Sequence, residues 1–76
     1  MAATNLRNEF VKGATAPAGA ACPFLFSSAS WTAWHAGVHF GRLGAPLPRT
    51  VTPGRGSRVR VDGTLVTVRD DGSVAA

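Results

Sequence analysis

Two histidines four residues apart, His35 and His39, and a single cysteine, Cys22, are the side chains of this 76-residue sequence best suited to chemistry. On a helix, that histidine spacing presents two imidazoles on one side, as metal sites require. The metalloprotease form also needs a glutamate directly after the first histidine, and Ala36 stands there. A structural zinc would need two more ligands, with only Cys22 and a few aspartates to supply them, so neither a metal nor a cofactor is expected. The histidines read instead as solvent- or phosphate-facing groups, partly charged at mildly acidic pH. Cys22 precedes Pro23 with no adjacent base to activate it and reads as a small buried hydrophobe. No Ser–His–acid grouping, no phosphate-cradling glycine loop after a strand and no acid–base carboxylate pair is legible. The chain is not expected to be an enzyme.

The remaining polar chemistry is cationic. The net charge is +4 and the isoelectric point about 11.3. Seven arginines and one lysine face only four carboxylates. Arginine suits bidentate binding of phosphate or carboxylate, so an anionic partner is indicated. Candidate RNA- or anion-binding residues are Arg7, Lys12, His35, His39, Arg42, Arg58, Arg60 and Arg69.

These residues must be positioned by few elements, because 76 residues form one small domain that buries a modest fraction of its surface. A binding partner or an oligomer would add to that burial. The lone cysteine excludes an internal disulfide and fits a reducing compartment. The sequence shows no basic start followed by an apolar run, and no apolar stretch of membrane-spanning length. Neither a secretory leader nor a membrane partner is expected.

The expected fold is α+β: helices at about 5–12 and 28–42 joined by a loop, then an extended segment over 43–56 and a C-terminal β-hairpin (57–61, 64–69). Thr4 is the expected cap of the first helix, Leu6 and Phe10 its apolar face, and Gly13 its end. Pro23 disfavours helix at Cys22, and Ser27, Ser28 or Ser30 can cap the second helix. Trp31, Trp34 and Val38 fall at i, i+3, i+7 as its core stripe, packed with Leu6, Phe10 and Phe24. Thr32, His35, His39 and Arg42 are assigned to the opposite, polar face. Gly37 and Gly41 each cost about 1 kcal/mol in a helix interior relative to alanine. They imply close approach of another backbone or a nucleic acid, or else a frayed helix end.

Prolines and glycines punctuate residues 43–56, where Arg49–Thr52 is a candidate short strand. Asp62-Gly63 between alternating runs signals a two-residue hairpin turn. Pairing from that turn sets Val61 opposite Thr64 and Val59 opposite Val66. Val59, Val61, Val66 and Val68 then form an inner face, and Arg58, Arg60, Leu65, Thr67 and Arg69 an outer one. The outer arginines read as phosphate contacts or as edge charges that oppose aggregation. The tail from Ser73 either adds a stub strand or frays.

The stretch from Cys22 to Arg42 resembles the ribosome modulation factor family, and the resemblance extends over about residues 5–42. The residues that carry the resemblance are Cys22, Pro23, Phe24, Ala33, Trp34, Gly37, Gly41 and Arg42, and a helix before the cysteine also fits. Val38 stands where that family usually has tryptophan, and residues 43–76 have no counterpart in it. The resemblance implies a two-helical part over 1–42 and a bacterial cytoplasmic protein that binds ribosomal RNA. In that family, binding near the site that pairs with messenger RNA blocks initiation and favours ribosome dimers. A different class of function is open from the residues alone: a phage virion or assembly protein that completes its sheet on neighbouring subunits. A phage- or plasmid-borne inhibitor of a host protein is a third.

Overall fold

The computed structural model describes residues 5–75, in which two helices precede a four-stranded antiparallel sheet. The fold is α+β, as the sequence patterns predict.

Helix α1 spans Arg7–Ala14. Leu6 occupies its N-cap position without a side-chain cap, and the Asn5 Oδ1 accepts from the Arg7 N–H at 3.0 Å. The expected Thr4 cap lies outside the described residues. Helix α2 spans Ala29–Arg42, and of the three candidate serines Ser28 is its cap, its Oγ accepting from the Trp31 N–H at 3.1 Å.

The two helices cross at their glycines. A Cβ on Gly13 would overlap the Trp34 carbonyl, and one on Gly37 would overlap the Phe10 carbonyl. On Gly41 it would sit 2.6 Å from the Ala14 oxygen. Gly37 and Gly41 therefore answer to another backbone, that of α1, and Gly41 lies within α2 rather than in a frayed end. Gly13, expected just past α1, is a buried residue inside it.

The sheet runs β1 (Val51–Pro53), β2 (Arg58–Val61), β3 (Thr64–Val68) and β4 (Val74–Ala75), in that spatial order. The hairpin register is the one its alternation dictates, with Val59 opposite Val66 and Val61 opposite Thr64. Asp62 (φ 49°) and Gly63 (φ 86°) supply the two positive φ values of a type I′ turn. The Asp62 carboxylate also accepts from the Arg49 and Thr50 N–H groups at 2.9 and 3.0 Å, tying the start of β1 to this turn. The candidate strand over Arg49–Thr52 is thus realised, shifted to Val51–Pro53, within the extended segment: β1 lies antiparallel to β2, with Thr52 opposite Arg60. The tail forms the stub strand, with Val74 opposite Val68.

One core joins both layers. Leu6, Phe10, Trp31, Ala33, Ala36, Val51, Val59, Val66 and Val68 are buried in a single cluster, with Phe24, Phe40, Val61 and Val74 packed against it. Trp34 is buried against α1. The helix face assigned from the i, i+3, i+7 stripe needs correcting at two positions. Val38 is only half-buried and does not join the cluster, whereas Thr32 is fully buried. The reason is that α2 has two partners, α1 on one side and the sheet on the other. The stripe through Trp34 meets α1, and the one through Thr32 and Ala36 faces the sheet. Val38 falls between them on the exposed edge. Thr32 tolerates burial because its hydroxyl donates to the Ser28 carbonyl at 3.0 Å.

Candidate nucleic-acid interface

Among the described residues, only one face of the sheet is covered. Residues alternate along each strand, and the valines at 51, 59, 66 and 68 point to α2. The opposite face therefore carries Thr52, Arg58, Arg60, Leu65, Thr67 and Ala75. The register aligns Thr52, Arg60 and Leu65 in one cross-strand row, and Arg58, Thr67 and Ala75 in the next. Arg58 and Arg60 are exposed, and Leu65 is 49% exposed. The three aspartates stand off this face, Asp62 in the β2–β3 turn and Asp70 and Asp71 in the β3–β4 turn. Among the described residues, the face is thus cationic, with hydroxyls beside the arginines and no carboxylate among them. Arg69, just beyond β3, is exposed and donates to the Ser73 hydroxyl at 3.3 Å.

The other candidates belong to the helical layer, so the eight residues do not converge on one surface. The Arg7 Nε donates to the Pro48 carbonyl at 2.9 Å, which fastens α1 to the connection preceding β1. Lys12 is exposed, its Nζ 6.0 Å from the Phe24 ring centroid. His39 is half-buried with its ring edge-on to Phe40. Arg42, exposed at the end of α2, lines a groove of about 480 Å³ between the helices, the loop after α1 and the β3–β4 turn.

His35 departs furthest from its expected solvent-facing place. Its ring lies 4.5 Å from that of Trp31 and 4.9 Å from that of Trp34. A Cβ on Gly72 would sit 2.7 Å from the imidazole. Burial lowers the His35 pKa from its ordinary value, favouring the neutral ring. Asp71, in the turn that covers it, is also shifted down, chiefly because the Ser73 hydroxyl and then the Ser73 N–H donate to its carboxylate. His35 is thus a packing residue of the helix–turn contact. Its packing against Gly72 links positions far apart in sequence, and helical periodicity carries no signal for it.

Thr52 joins the outer face only because β1 pairs with β2; a strand placed over Arg49–Thr52 without a partner leaves its facing undefined. Among the described residues, no three His, Cys, Asp or Glu side chains are grouped to hold a metal ion, and no helix is long and apolar enough to cross a membrane. No protein-family model, curated protein or solved structure matches this chain.

Proposed function

We propose that this is a small, basic, non-enzymatic binding protein that holds ribosomal or other RNA by phosphate contacts and acts by occlusion. The observation that carries this reading is the uncovered sheet face with Arg58 and Arg60 side by side and exposed. Guanidinium groups on a face where no described side chain is a carboxylate attract a polyanion and grip phosphate bidentately. The resemblance of about residues 5–42 to ribosome modulation factors supports the ribosome as the particle concerned.

The test is sedimentation of a tagged protein from cell lysate through a sucrose gradient at low and at high salt. Migration with ribosomal particles that is lost at high salt is the expected outcome. A position at the top of the gradient under both conditions would remove the ribosomal reading.

A second reading, contact with a protein partner as in a virion or an enzyme inhibitor, draws on different residues. Leu25 is 82% exposed, Leu43 66%, Phe26 52% and Leu47 49%. Its other motive, a hairpin lacking a sheet, is met within the chain by β1 and β4. In the virion form of this reading the protein would travel in a particle that high salt leaves intact.

A further inference from the structure

We infer that the outer sheet face is built for the backbone of double-stranded RNA rather than for splayed single strands; the inference rests on the proposed RNA-binding reading and names its substrate class. The carrying observation is how the aromatic side chains are partitioned. All six, Phe10, Phe24, Phe26, Trp31, Trp34 and Phe40, precede residue 43, and every one lies in the helices or the loop joining them. The sheet contains none. Single-stranded RNA is held by bases stacked on aromatic rings beside a cationic groove. This face has the cations and lacks the rings.

What the face does offer matches a helical backbone. Arg58 and Arg60 lie two residues apart on β2, about 7 Å along the strand, and can reach neighbouring phosphates. Thr52 lies directly across from Arg60, and Thr67 directly across from Arg58. Each arginine thus has a threonine hydroxyl beside it. An A-form duplex exposes a wide, shallow minor groove lined with 2′-hydroxyls and bordered by phosphates, and proteins recognise it by shape through those two groups. A shallow sheet face can lie against such a groove, with the arginines on phosphate and the threonine hydroxyls on 2′-OH. DNA lacks the 2′-OH, so the threonines are the residues that would favour RNA.

The experiment compares an RNA duplex, one of its strands alone and a DNA duplex of the same sequence, titrated by fluorescence anisotropy over a range of salt. The intact protein is measured beside Arg58→Ala/Arg60→Ala and Thr52→Val/Thr67→Val, each checked for an unchanged melting temperature. The RNA duplex should bind tightest. The double arginine variant should reduce the slope of log affinity against log salt by about two, roughly one for each lost phosphate contact. The double threonine variant should bind the RNA and DNA duplexes equally. Tighter binding of the single strand, still dependent on Arg58 and Arg60, would overturn the duplex inference and leave the RNA-binding reading standing. No binding to any of the three at low salt would overturn both.

Discussion

At the scale of single residues, three glycines set how closely the helices approach. Alanine is the better helix former by about 1 kcal/mol, so Gly37→Ala would stabilise α2 in isolation. In the folded chain the added methyl overlaps the Phe10 carbonyl, and backbone cannot yield as a side-chain tip can. The expected net effect is a loss of about 2–3 kcal/mol, towards the upper end for overpacking, read as a lower urea midpoint. A rise in the midpoint would show that the helices can separate at little cost. His35 gives a second residue-scale expectation. Its folded pKa lies below the unfolded value, so between the two the unfolded chain binds more protons. Its contribution to stability is therefore complete above about pH 6.5 and is lost as the pH falls through the folded value. The melting temperature should drop from about pH 7.5 to about pH 5, and His35→Gln should flatten that part of the curve. An unchanged slope in the variant would assign the pH dependence to another group. The sequence identified His35 as a group with chemistry to do but placed it on a polar face, because spacing along one helix carries no information about the turn at residues 71–73.

Elements were legible where local chemistry decides them. Ser28, the Asp62-Gly63 turn and the valine alternation fix α2 and the hairpin within a few residues of their own positions. The strands β1 and β4 were legible only as a candidate strand over Arg49–Thr52 and a stub that could equally fray, because each is two or three residues long and its bounds and pairing are set by its neighbour. A similar limit explains Val38 and Thr32: periodicity finds one apolar stripe, whereas α2 is clasped from two sides. Two substitutions test the local devices. Ser28→Ala should cost about 1 kcal/mol, as a lost N-cap does. Asp62→Ala removes the carboxylate that holds the Arg49 and Thr50 N–H groups. It should loosen β1 first, seen as faster amide hydrogen exchange at residues 51–53 while the β2–β3 amides stay protected. Equal loss of protection in all three strands would mean that β1 has no separate stability.

For the molecule as a whole, the two helices and the sheet share one core, so neither layer has a hydrophobic interior of its own. Both helices lie before residue 43, but Leu6, Phe10 and Trp31 share their buried cluster with Val51, Val59, Val66 and Val68. A fragment of residues 1–42 should therefore show little helical circular dichroism and no cooperative melt, while residues 1–76 melt in one transition. A cooperative transition in the fragment would make the helices an independent unit. The bond from the Leu6 N–H to the Val51 carbonyl, 2.6 Å long, joins the start of α1 to a strand made much later in synthesis. Ribosomes add about 5–20 residues per second, so the stretch from Val51 to Val68 takes roughly one to four seconds to make. Throughout that interval the apolar faces of both helices have no sheet to cover them. The newborn chain thus cannot complete its core until β3 has been made, and a stall or stop codon within the hairpin would leave an unfolded chain rather than a smaller working protein.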